Sequence, residues 1–124
     1  MPQVALTVWG SRISPVYEGA SQIRLVQIND MQTARMSDMP LSPDPVHRIG
    51  MFREHGVEVL ICGAISGLQA SIIRACEITL FPFVTGEVSE VLTAYMHGKL
   101  DSVQFTMPGC FGRQRHRRRR GRKA

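Results

Sequence analysis

The spacing between apolar runs changes at Asp44-Pro45, and that change limits the architectures open to this chain of 124 residues. Before it, strand-like runs follow one another across connections of turn length. Val4, Leu6 and Val8 alternate with Ala5 and Thr7 until Trp9-Gly10-Ser11 ends the run, which predicts a mostly buried strand. Residues 21–28 predict a second strand with one wetter face, Asn29-Asp30 a turn, and residues 33–39 a weaker, polar strand. Connections this short make the first half an antiparallel meander.

After Asp44 the apolar runs are separated by helical spacing. Asp44 is suited to cap a helix and Pro45 to its first position; Val46, Ile49 and Phe52 then share a face until Gly56 stops it. Residues 57–62 read as a short buried strand, and Leu68, Ile72 and Ala75 stripe a second helix. Residues 78–84 form another strand, in which Pro82 marks a sheet edge or a bulge. Val88, Val91, Leu92 and Tyr95 stripe a third helix that ends at Gly98. The order is β-β-β-α-β-α-β-α, and right-handed crossovers place the last two strands parallel to the first, with helices on both faces. The expected fold is therefore α/β: a ribonuclease H-like three-layer α/β/α domain around a five-stranded mixed sheet.

The formal net charge of +5 averages two unlike parts. Residues 113–124 hold seven arginines and one lysine, which leaves seven basic against ten acidic side chains before them, a net of −3. A mildly acidic domain over residues 1–110 followed by a flexible basic tail over residues 111–124 is the expected organisation. The longest mostly apolar stretches, 57–62 and 78–84, are far short of the ~20 residues that cross a bilayer, so no membrane partner is expected. The first residues have no basic start and no long apolar run, and Cys62, Cys76 and Cys110 match neither a disulfide framework nor a zinc ribbon. A cytoplasmic location follows as an expectation.

In a sheet of this kind, ligands collect outside the carboxyl ends of the parallel strands. The loops expected there carry Trp9, Gly10, Ser11, Arg12 and Ser14 after the first strand, Gly63, Ala64, Ile65, Ser66 and Gly67 after the fourth, and Thr85 and Gly86 after the fifth. Two of them lead into helix N-termini, where free N–H groups and the positive dipole end suit an anion. Arg12 is their single charged side chain, expected beside the N-terminus of the helix that follows Gly63.

Catalytic equipment is not legible. Two-metal nuclease chemistry needs carboxylates on the first strand, and neither residues 3–8 nor residues 60–62 contain one. His55 and His97 each precede a glycine, as expected of histidines that complement a helix C-terminus. Cys62 and Cys76 read as buried small hydrophobes. His47 and Cys110 remain as metal candidates, and Cys110, beside the cationic tail, as a thiol of lowered pKa. No acid/base pair or nucleophile emerges, so an enzyme is not expected.

The stretches Ala5-Leu6-Thr7-Val8-Trp9-Gly10-Ser11-Arg12-Ile13-Ser14-Pro15-Val16 and Gly56-Val57-Glu58-Val59-Leu60-Ile61-Cys62-Gly63-Ala64-Ile65-Ser66 carry a resemblance. So do the final helical segment 88–100 and the closing Met107-Pro108-Gly109-Cys110 before the arginines. In order and spacing they resemble the dinitrogenase iron–molybdenum cofactor biosynthesis domain family, over residues 3 to about 110. The resemblance implies a carrier or scaffold for an anionic, molybdenum-containing metal–sulfide cluster, of Mo–Cu or Fe–Mo type, or for its precursor. It also implies an acceptor apo-protein as partner. Where many members have a His-Phe-Gly-like element, this chain has Val16-Tyr17-Glu18-Gly19-Ala20, which favours binding by charge, hydrogen bonds and shape over imidazole ligation. The competing reading is a nucleic-acid-binding module built on residues 113–123, whose eight positive charges suit phosphates. The acidic domain and its lack of an aromatic platform among basic residues speak against it.

Overall fold

The computed structural model describes residues 3–30, 32–100 and 105–107. The chain runs β1 (Gln3–Trp9), β2 (Arg12–Ile13), β3 (Gln22–Asn29), β4 (Gln32–Pro40), α1 (Pro45–Glu54), β5 (Val59–Ile61), α2 (Gly67–Ala75), β6 (Thr79–Phe81) and α3 (Val88–Met96). The sheet order is β4-β3-β1-β5-β6, with β2 paired to β1 beside that path. β1 is antiparallel to β3, and β3 to β4, whereas β1, β5 and β6 are parallel. Five strands were expected and six are present among the described residues. The addition, β2, is a two-residue strand that folds back on β1 through the Gly10-Ser11 turn, with Trp9 opposite Arg12. Gly10 takes a φ of 64° there, the left-handed region that a tight hairpin turn requires.

Alternation along β1 divides the core into two layers. Val4, Leu6 and Val8 pack with Val88, Val91, Leu92 and Ala94 of α3. Ala5 points the other way, into the layer that holds Phe52 of α1 and Ala70 and Ile73 of α2. β6 lies at the sheet edge, as Pro82 foretold. Asp44 caps α1 by accepting from the Val46 amide at 2.9 Å, an interaction of about 1 kcal/mol.

α3 buries Val88, Val91 and Leu92 as expected, but the faces of α1 and α2 differ from the expected stripes. Val46, Leu68 and Ile72 are exposed, at 76%, 69% and 37%, while Arg48 and Phe52 of α1 and Ala70 and Ile73 of α2 are buried. Arg48 takes a core position because its guanidinium satisfies four backbone carbonyls: those of Ser42, Tyr17, Glu18 and Ala20, at 2.6, 2.5, 3.3 and 2.7 Å. It also lies 4.8 Å from the centre of the Tyr17 ring. No helix among the described residues is long and apolar enough to cross a membrane. The basic segment 111–124 lies outside the described residues.

Candidate functional site

At the carboxyl ends of β1, β5 and β6 the three expected loops meet, joined by main-chain hydrogen bonds. Ile13 donates to the Gly86 carbonyl at 3.0 Å, and Val88 to the Ser11 carbonyl at 2.8 Å, which sets Arg12 opposite Glu87. Farther along, Ala64 donates to Pro15 and Tyr17 to Ala64, both at 2.8 Å. The first loop is thus laced between the other two. Gly63 makes this approach possible: a Cβ there would land on the carbonyl oxygens of Ser14 and Pro15. Arg48 holds the following residues, 17–20, from below.

Two expectations about charge change as a result. Arg12 lies beside the N-terminus of α3, not that of α2, because β2 turns the first loop toward Gly86. The N-terminus of α2, expected to receive an external anion, holds an internal one: the Ser66 amide donates to the Glu18 carboxylate at 3.0 Å, and Ser66 Oγ caps the Gln69 amide at 3.2 Å. Partial burial pulls the Glu18 carboxyl upward, but hydrogen bonds from Ser66 outweigh it and hold the group below the usual carboxylate range. α3 begins with Glu87 and carries Glu90 in its first turn, so it too has acids at its positive end.

The twelve residues read from the sequence separate into a support and a rim. Ser14, Gly63 and Ile65 are buried and shape the loops from below. Trp9, Gly10, Ser11, Arg12, Ser66 and Gly67 are exposed, with Ala64, Thr85 and Gly86 half-buried between them. Trp9, 74% exposed, also walls a groove of about 250 Å³ with Val8, Ser14, Pro15, Val16, Gly19, Ala20 and Ser21. That opening flanks the first loop on its β3 side and is not bordered by the Gly63–Gly67 or Thr85–Gly86 loops. Sequence reading missed Glu18, Arg48 and this groove. The first two lie outside the strand-end loops, and only the fold brings them underneath.

Among the described residues, metal-binding side chains do not assemble around His47. His47 is exposed, with its Nδ1 3.9 Å from Asp44, and no group of three or more His, Cys, Asp or Glu side chains among the described residues is placed to hold a metal ion. Cys110 lies outside the described residues. Cys62 is fully buried, and that burial drives its thiol far above its ordinary pKa. His55 and His97 cap the C-termini of α1 and α3, and His97 Nδ1 lies 2.8 Å from the Thr93 carbonyl oxygen.

No protein-family model and no curated protein matches this chain. Solved structures do. The crystal structure of PH0822 aligns with a TM-score of 0.72 at 18% identity, covering 78% of this chain and 92% of that one. A candidate dinitrogenase from Methanocaldococcus jannaschii aligns at 0.64 and 20% identity, covering 78% and 89%. The apo orange protein from Desulfovibrio gigas aligns at 0.62 and 16% identity, covering 80% and 90%. This chain shares their fold. The structural neighbours match, at the level of fold, the family that the sequence resembles.

Proposed function

We propose that this protein is a non-enzymatic carrier or scaffold for an anionic metal–sulfide cluster, molybdenum-containing and of Mo–Cu or Fe–Mo type, held largely without protein–metal bonds. The observation that carries this reading is the fold shared with the orange protein and with a candidate dinitrogenase, which agrees with the sequence's resemblance to the iron–molybdenum cofactor biosynthesis family. We take the arrangement as ribonuclease H-like, with three antiparallel strands continued by two parallel ones on the β5 side. The cluster is cargo, and an acceptor apo-protein in the cytoplasm is its destination.

The donor set supports a cluster held by its surface. Cys62 is fully buried and presents no sulfur at the surface, and Arg12 on the rim offers a positive charge with directional N–H donors for a sulfide or oxo edge. Trp9 adds a broad apolar wall beside it, and the left-handed Gly10 turns the chain sharply enough to present both. The rim residues proposed to touch the cargo are Trp9, Gly10, Ser11, Arg12, Ser66, Gly67, Thr85 and Gly86. Ser14, Gly63, Ala64 and Ile65 set their positions.

Anaerobic purification of the full chain from its native host, followed by whole-protein metal analysis, tests the reading. Molybdenum in stoichiometric amount, with copper or iron, is the expected result. Absence of molybdenum from freshly isolated protein overturns the assignment of cargo.

A further inference from the structure

We propose that the groove beside Trp9 docks the acceptor protein, by taking one large apolar side chain of that partner while Arg12 meets a carboxylate next to it. The acceptor is the partner that the carrier reading calls for, and its identity rests on that reading.

The groove holds about 250 Å³, and none of its eight lining residues carries a charge. An anionic cluster therefore finds no counter-charge inside it. The volume is also below the roughly 300–1,000 Å³ of small-molecule sites, and leaves room for one large side chain. Its walls are apolar and stand in solvent: Trp9 is 74% exposed and Val16 46%. These are two of the six large hydrophobic side chains that the described residues expose, and both border this one opening. Pro15 adds to the apolar wall, and Gly19, where an added Cβ would meet nothing within 4 Å, leaves the opening unfilled.

The charge at its mouth selects among partners. Val8 and Ile13 face each other in the β1–β2 hairpin and belong to one core layer, so the next pair, Trp9 and Arg12, projects to the other side. Side chains of such a pair start about 5 Å apart at Cβ, which puts the guanidinium within reach of whatever rests on Trp9. Arg12 is exposed and makes no ion pair among the described residues. The neighbouring acids do not engage it. Glu18 accepts from the Ser66 amide at 3.0 Å, and Glu87, opposite Arg12 in the next bridge, keeps its Oε1 buried without a partner. A neutral apolar slot with one unpaired cation at its mouth is complementary to an apolar side chain beside an acid. Tryptophan and arginine are also the side chains that most often dominate protein–protein binding. Because Trp9 borders both the groove and the rim proposed for the cargo, a protein seated here has the cargo within reach.

The probe is the capped hexapeptide Ala-Gly-Phe-Asp-Gly-Ala, titrated into the cargo-free full chain and followed by NMR. Trp9 is the single tryptophan, so its indole N–H resonance reports on the groove without ambiguity. Saturable shifts at Trp9, Val16 and Gly19 are expected, with a dissociation constant of about 1 mM. Replacing the peptide's Phe by Ala should weaken binding at least about tenfold, as should Trp9→Ala in the protein. Replacing the peptide's Asp by Lys should weaken it about fivefold, and Arg12→Ala should erase that preference. No shift at Trp9, equal binding of the Ala peptide, or an Asp preference that survives Arg12→Ala overturns the proposal. So does a dimer in sedimentation that Trp9→Ala dissociates, since a second copy would then fill the groove. Should Trp9→Ala fail to fold, the peptide series on the native chain decides in the same way. No cargo is present in these titrations, so their failure leaves the carrier reading standing, and absence of molybdenum from the isolated protein leaves the peptide result standing.

Discussion

The Ser66 amide donates to the Glu18 carboxylate at 3.0 Å, so the positive end of α2 is neutralised by the chain's own acid. Any external anion at that end competes with a tethered one. Glu18→Gln should therefore strengthen retention of an anionic cargo while lowering stability by about 0.5 kcal/mol, a small figure because the pair is exposed and screened.

The same contact has a pH signature. The Glu18 carboxyl is held below its ordinary value in the fold, so its stabilisation is present above about pH 4.3 and is lost as pH falls through the lower folded value. Asp38 behaves alike, because hydrogen bonding from Arg24 lowers its pKa. Urea midpoints should fall on acidification in the native chain and fall less in Glu18→Gln. Equal losses in the two proteins would contradict the Glu18–Ser66 contact as a source of stability.

Gly63→Ala places a methyl group on the Ser14 and Pro15 carbonyls. The neighbours are backbone and have little freedom to give, so a cost of about 1–3 kcal/mol is expected. Because those carbonyls belong to the laced first loop, Trp9 emission should shift as the loop is displaced. An unchanged denaturation midpoint would show that the two loops are not in close contact.

Arg48→Met removes the donors that satisfy the Tyr17, Glu18 and Ala20 carbonyls. About 3 kcal/mol of stability should be lost, since buried acceptors are left unpaired. Arg48→Lys should recover little of it, because an ammonium does not reproduce the planar fork. Chemical denaturation of both variants checks this.

How much of this was legible in the sequence can be judged residue by residue. Alternation at Val4, Leu6 and Val8, the Asp44-Pro45 helix start and the convergence of three strand-end loops were readable, because each follows from local period or from the crossover rule. The buried face of α2 was not: Leu68/Ile72 and Ala70/Ile73 both have helical spacing, and contact with the sheet decides between them. Arg48 in the core defies hydropathy because its partners are carbonyls from residues 17–20, some thirty positions away. The neighbour of Arg12 depended on β2, a strand of two residues too short to leave a periodic signal.

Arg12 and the basic segment should contribute differently to cargo binding. Met107 donates to the Phe83 carbonyl at 2.9 Å, and the Phe83 amide donates to Gly63 at 2.8 Å, so Met107, the last described residue, lies next to a site loop. Basic charges later in the sequence would attract an anion through a field that salt screens over ~8 Å, whereas Arg12 on the rim would act through directional bonds. Truncation after Gly112 should slow uptake mainly at low salt, and Arg12→Ala should speed release at any salt. Stopped-flow uptake and retention at two ionic strengths separate them; loss of retention at high salt on truncation alone would move the site to the basic segment.

Anaerobic titration of the apo-protein with thiomolybdate and copper, followed by desalting, tests most directly whether the chain carries a cluster without thiolate bonds. Charge-transfer absorption should persist through desalting, with quenching of Trp9, the chain's single tryptophan. It should persist equally in folded Cys62→Ala and Cys76→Ala variants. Absorption that washes away from the native protein, or that vanishes with either cysteine, would contradict a cluster held by charge and shape.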